Sequence, residues 1–214
     1  MQSTDPVKQL EYIKTGARVL FKPKQLVEVR ARMNAGYWKG FYFTNHDYMA
    51  EIVQKLDQDT RIQSVYYVFN QINPNLIEQR KSCKCDTCVR GGLIVANPDA
   101  NQIEKIIIGA SQHLTTNEDI EWLNWLFIDV DTIRAQGFEH EPSSKLEKAQ
   151  SMKVAQKIID YLQDENHWPK VLMANSGNGY HILPKINLPN TSTNVDLVLD
   201  CLRSLDKKFK FTPS

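Results

Sequence analysis

No apolar run in the 214-residue sequence approaches the about 20 residues that a membrane-crossing helix needs, so no membrane is expected as a partner. The first stretch, MQSTDPVKQLEYIK, is polar and lacks the apolar centre of a secretory leader. A cytoplasmic location is the expectation that follows. Internal repeats and low-complexity linkers are also missing. Neither sign of charge dominates: the net charge is +1, which neither points to nucleic acid nor excludes it. Cysteine is scarce, and three of the four cysteines crowd into one turn. What remains is an ordinary globular composition, 42% hydrophobic and 24% charged, in a chain long enough for one large domain or two small ones.

The pattern of apolar residues predicts alternating elements. QLVEVRARM (25–33) puts Val27, Val29 and Ala31 on one face and Glu28, Arg30 and Arg32 on the other, a half-buried strand with a charged outer surface. YWKGFYF (37–43) is its neighbour across a turn, NHDYMAEIVQKL (45–56) a capped amphipathic helix, and SVYYVFN (64–70) a strand stopped by Asn-Pro-Asn. Short strands LIVAN and KIIIG flank the cysteine-rich turn. Leu123 to Val130 is almost continuously apolar, as a central strand would be. A helix over KLEKAQSMKVAQKIIDYL, a strand-turn-strand over KVLMANSGNGYHILPKI and a final helix over NVDLVLDCLRSLDKKF complete the chain. The layout is α/β (α+β), a mixed central sheet flanked by helices; two α+β units dividing near residue 115 are the alternative.

Two motifs stand out. LFIDVD sets Asp129 and Asp131 into the apolar strand, and residues two apart on a strand share a face. An ionised carboxylate in a dry interior costs several kcal/mol unless it is paired or binds a metal. Two together make a hard oxygen site for Mg²⁺ or Mn²⁺, against the plainer reading of two solvated acids at a strand end. In NSGNGYHIL, Asn178-Gly179 is the dipeptide of two-residue type I′ turns, and His181 falls just inside the return strand. A histidine beside unscreened main-chain amides can bind a triphosphate; alone it would be an ordinary strand histidine.

An apolar strand ending in Asp-x-Asp, then a helix, then Ser-Gly-x-Gly-x-His, resembles the archaeo-eukaryotic primase superfamily. It is most similar to the primase-polymerases of phages, plasmids and some defence loci. Ile128-Asp129-Val130-Asp131 matches the family's first motif, and Gly179-Tyr180-His181 within SGNGYH its second. The stretches LVEVRARM, GFYF, VYYVFNQINP and TTNEDIEWLNWLFIDVD look like the family's approach to the first motif, and the resemblance covers roughly residues 15–211. It implies a primase-polymerase catalytic core, with an N-terminal αβ unit over about 15–115 and an RRM-like β-α-β-β catalytic unit over about 116–214. It further implies template-directed nucleotidyl transfer with two divalent ions, Mg²⁺ or Mn²⁺, held by Asp129 and Asp131. His181, Ser176, Gly177, Asn178 and Gly179 would meet the nucleotide's phosphates. The partners would be single-stranded DNA and dNTPs or NTPs, with a helicase or other replication or defence proteins alongside.

The family's third motif supplies a further acid after the next helix. The sequence ends at KKFKFTPS, and Asp196, Asp200 and Asp206 lie on the predicted helix, so the chain is expected to be the amino-terminal portion of a longer primase, with a shortened or inactive relative as the alternative.

Two further groups have alternatives that stay open. Arg18, Lys22, Lys24, Arg30, Arg32 and Lys39 face the single acid Glu28 between positions 18 and 39, and Arg30, Arg32 and Lys39 are candidates for contact with template phosphates. A solvated charged face explains the charge run equally well, and for Arg30 and Arg32 ordinary sheet-surface arginines are the plainer reading. Cys83, Cys85 and Cys88 give three thiolates in the loop 82–92, and His113 is the candidate fourth ligand of a structural Zn²⁺, ahead of His46, His140 and Cys201. Free thiols or a redox pair are the alternative. At the level of function, a non-catalytic nucleotide- or nucleic-acid-binding module and a metal-dependent nuclease are the rivals to a polymerase.

Overall fold

The computed structural model describes residues 5–81, 114–132, 141–169 and 171–209. The chain divides into two compact units, Met1–Glu121 and Trp122–Ser214. Cys83, Cys85, Cys88 and His113, with the predicted strands LIVAN and KIIIG, lie outside the described residues, as does His140. Among the described residues no helix is long and apolar enough to cross a membrane.

The first unit begins with α1 (Pro6–Leu20), which has no counterpart among the elements predicted from sequence. Its start is nonetheless written locally: Asp5 Oδ1 accepts the Val7 amide, and Pro6 fills a first-turn position that needs no N–H. Next come β1 (Val27–Met33), β2 (Trp38–Phe43), α2 (His46–Gln58), β3 (Ile62–Tyr67), β4 (Gln71–Ile72) and α3 (Leu76–Lys81). The antiparallel sheet has the order β2-β1-β3. One face carries Val27, Val29 and Ala31 against Met49, Ile52 and Leu56 of α2 and Ala17 of α1. Each fully buried Ile or Leu there contributes about 1.5–3 kcal/mol.

Glu28 departs from the expected charged outer surface, because it is wholly buried. Tyr42 Oη and the Thr115 amide donate to its carboxylate, and Arg30 forms an ion pair with it at 2.8 Å. Arg30 also donates to the Thr115 carbonyl. The extended segment at 114–116 covers this end of the sheet, and Gly40 makes the room: a Cβ there would stand 2.6 Å from Glu28 Oε1.

The second unit holds β5 (Ile120–Trp125, which starts at the boundary), β6 (Ile128–Val130), α4 (Lys145–Asp160), β7 (Val171–Asn175), β8 (Tyr180–Pro189) and α5 (Ser192–Phe209). The apolar run predicted as one strand is two strands, β5 and β6, that both pair with β8. Trp122 and Trp125 pair with the far end of β8, Ile128 to Val130 with its beginning, and the Leu126 amide bridges the break by donating to the Pro184 carbonyl. On the other side of β8 lies β7, with Ala174 opposite His181. The β6-α4-β7 crossover makes β6 and β7 run the same way, and β8 threads between them. The unit is therefore α+β with the strand-helix-strand-strand order expected, and each of these pairings is antiparallel. Leu126, Ile128, Val130 and Ile182 face Ala155, Ile158, Leu162 and Leu205 on the helices. Phe127, Asp129 and His181 consequently point to the opposite face.

Candidate functional site: a carboxylate–histidine pair beside a hairpin

Asp129 sits directly opposite His181 in the β6–β8 register. Opposed residues on antiparallel strands lie closest across a sheet, so these two motifs, 52 positions apart, share one rung. His181 Nε2 stands 3.5 Å from Asp129 Oδ1, with side chains 27% and 46% exposed. On β7 the rung continues with Ala174, whose small side chain leaves the imidazole open to solvent. Phe127, two residues before Asp129, lays its ring against the imidazole at 4.7 Å between centroids and fixes its plane. Burial raises the Asp129 pKa, the charge of Asp131 raises it further, and His181 opposes both. The pair of carboxylates is thus short of positive charge.

The hairpin tip is built differently from the two-residue turn that Asn178-Gly179 predicts. Asn175 pairs with Tyr180, so four residues, Ser176 to Gly179, form the loop, and Gly177 takes the left-handed conformation at φ 97°. The Ser176 amide donates to the Gly179 carbonyl, the Gly177 amide to Asn175 Oδ1 and the Gly179 amide to Ser176 Oγ. Two of the amides expected to be unscreened are therefore already satisfied inside the loop. Among the described residues nothing accepts from the Asn178 amide, and Ser176 Oγ, having accepted from Gly179, still has its own proton to donate. Gly179 is needed for contact: a Cβ there would collide with the Val130 carbonyl oxygen. The loop thus lies flat on the backbone between Val130 and Asp131.

A hydroxyl relay repeats that tie. Ser143 Oγ donates to the Asn178 carbonyl at 2.7 Å, so the Thr132 hydroxyl, 2.8 Å from Ser143, must donate to it. Thr132, the residues just before α4 and the hairpin tip are thereby tied together. Ser144 caps α4 in a capping box with Glu147, and one residue on, Lys148 Nζ reaches Asn175 Oδ1 at 3.1 Å. Tyr180 packs on the core side, as strand alternation predicts.

A cavity of about 450 Å³ is lined by Asp129, Asp131 and Asp206, with Val154, Ile158 and Phe209 among its apolar walls. Asp206 was legible in sequence only as a helical residue. Lys148 and Phe127 carried no sequence signal: one is a lysine on a lysine-rich helix, the other an aromatic in an apolar run. Among the described residues no three His, Cys, Asp or Glu side chains gather at coordination spacing. The set on offer is two carboxylates, which suits Mg²⁺ completed by water and phosphate oxygens.

The proposed template residues separate. Arg30 is committed to Glu28 and Thr115. Arg32 is exposed, stacked over Trp38 at 5.8 Å. Lys39 shares the core face with Ala31, its register partner; burial lowers its pKa, as does the charge of Arg61. Comparison with models of known families, with curated proteins and with solved structures found no match for the chain.

Proposed function

We propose that the chain is a primase-polymerase domain that adds nucleotides to a strand on a single-stranded DNA template. The observation that carries this reading is the Asp129–His181 rung, with Asp131 beside a hairpin whose tip lies on the same backbone. Asp129 and Asp131 would hold Mg²⁺ or Mn²⁺. When bound, two such ions lower the pKa of an attacking 3′-hydroxyl and neutralise charge on the triphosphate and its pyrophosphate leaving group. His181 would donate from Nε2 to a phosphate oxygen, and the Asn178 amide and the Ser176 hydroxyl proton are the other donors. Lys148 adds a cation next to the loop. Phe127 keeps the imidazole in the plane from which it can do this. The reading carries with it a cytoplasmic location, dNTPs or NTPs as substrates, a helicase or other replication or defence protein as companion, and a structural Zn²⁺ on Cys83, Cys85, Cys88 and His113.

One observation favours a second reading. With two carboxylates and no third coordinating side chain beside them among the described residues, the site can bind a metal–nucleotide complex without turning it over. Incubation with primed and unprimed single-stranded template, dNTPs or NTPs and Mn²⁺ separates the possibilities. Products longer than the primer support nucleotidyl transfer, binding without products supports the second reading, and shortened strands would contradict both in favour of a nuclease.

A further inference from the structure

The first unit's sheet has a second face, opposite α1 and α2; α3 packs on it only at the Tyr42 end, through Leu76 and Ile77. The segment at 114–116 closes the end over Glu28, and the other end carries Arg32, Trp38, Ser64 and Tyr66. The register sets these residues on two adjacent rungs, Trp38–Arg32–Ser64 and Gly40–Arg30–Tyr66. Trp38 and Tyr66 therefore start on opposite sides of β1. Their rings nevertheless meet across it, 5.5 Å apart at an angle of 53°. They can do so because the residue between them has turned away: Arg30 is drawn toward Glu28 and Thr115. Arg32 lies over the indole. Tyr66 stays 49% exposed.

Aromatic cross-strand pairs stabilise sheets, but that role does not require half a tyrosine ring to face solvent. The charge around the pair is also one-sided. Among the described residues of this face the acid, Glu28, is buried and neutralised by Arg30, which leaves the exposed Arg32 guanidinium as the charge beside the rings. Two splayed rings with an arginine in their plane of approach match the faces of unpaired bases and the phosphate between them. Paired bases hide those faces. We infer that Arg32, Trp38 and Tyr66 form a stacking platform for two or so successive bases of a single-stranded nucleic acid. The inference rests on the proposed function only for calling that strand a template.

The test is fluorescence anisotropy of labelled dT20, rU20 and a duplex of equal length, with the full chain in EDTA. Without divalent metal or nucleotide the result is independent of chemistry at Asp129. The wild type should bind at least one single strand more tightly than the duplex, and the order of dT20 and rU20 identifies the strand. Tyr66→Ala and Trp38→Ala should each weaken binding roughly 5- to 100-fold, the range for loss of one stacked base. Tyr66→Phe keeps the ring and should bind as the wild type. Tyr12→Ala, an exposed tyrosine on α1, should also leave binding unchanged. With Arg32 as the free arginine among the described residues of the face, affinity should fall only shallowly with salt, a slope of roughly one phosphate contact, and Arg32→Gln should flatten it. Thermal melts of each variant separate lost binding from lost fold; if Trp38→Ala does not fold, Tyr66→Ala against Tyr66→Phe still decides. Undiminished binding by a folded Tyr66→Ala, equal affinity for duplex, or no binding of either single strand at low salt overturns the platform.

Discussion

Replacing Gly179 by alanine should damage the site out of proportion to its size. Gly179 does not take up a left-handed conformation, so the methyl group meets no backbone penalty of that kind. It meets the Val130 carbonyl oxygen. An ordinary carbon–oxygen approach is about 3.3 Å or more, so hairpin and strand must separate by on the order of 1 Å. The contacts at stake are the Val130–Tyr180 rung and, one residue further, the Asn178 carbonyl held by Ser143. Forced overpacking of this kind costs about 1–3 kcal/mol of stability. A misplacement of about 1 Å between phosphate donors and metal ligands can cost about 100-fold in rate. Gly177→Ala is the matched control: its φ of 97° strains any side chain, yet nothing lies within 4 Å of the added Cβ. That variant should lose about 1–2 kcal/mol of stability while keeping the loop on Val130. Urea denaturation and nucleotide binding or incorporation, measured on both, give the comparison. Equal functional loss in the two variants, or wild-type behaviour of Gly179→Ala, would refute the argument that contact with β6 sets the loop's position.

His181→Ala should weaken nucleotide binding at least tenfold and leave single-strand binding nearly unchanged, because the template face is assigned to other residues; equal losses in parallel titrations would make the histidine structural. Asp129→Asn should raise the melting temperature of the metal-free protein at neutral pH. Its folded pKa lies above the unfolded value, so the native state binds the proton more tightly, and wild-type stability falls as pH rises through the folded pKa. The variant's advantage should vanish as pH drops below the ordinary carboxylate range, and a variant that melts no higher at neutral pH would contradict the crowding of Asp129 with Asp131. Glu28→Ala should cost about 3–5 kcal/mol in urea unfolding, since it strands Arg30, Tyr42 Oη and the Thr115 amide, and Glu28→Gln should cost less by keeping an acceptor. A loss below about 1 kcal/mol for Glu28→Ala would mean that the buried network is not needed.

Periodicity made most elements legible, because a single period governs each of them. The alternation of Val27, Val29 and Ala31 gave β1 and its core face, and the spacing of Met49, Ile52, Val53 and Leu56 gave α2. The pairing of Asp129 with His181 was legible as motif order but not as a distance, since the register of β6 on β8 is set by tertiary packing between strands separated by α4 and β7. Asn178-Gly179 gave the wrong turn between β7 and β8: Ser176 Oγ and Asn175 Oδ1 supply acceptors inside the loop, which lets four residues close it with Gly177 carrying the left-handed angle. Burial of Glu28 was illegible for a similar reason, since its partner Thr115 is 87 residues away. Lys148 reaches Asn175 by helix packing, which leaves no local trace.

The central claim is that Asp129 and His181 form one metal-dependent nucleotide site. Calorimetric titration of a dNTP into the wild type, Asp129→Ala and His181→Ala, each with Mn²⁺ and with EDTA, tests it most directly. The account predicts that the wild type binds far more tightly with Mn²⁺ than with EDTA. Asp129→Ala should abolish that metal dependence without unfolding, and His181→Ala should lose at least a factor of ten in the presence of metal. Equal binding in EDTA and Mn²⁺, or wild-type affinity in both variants, would contradict it.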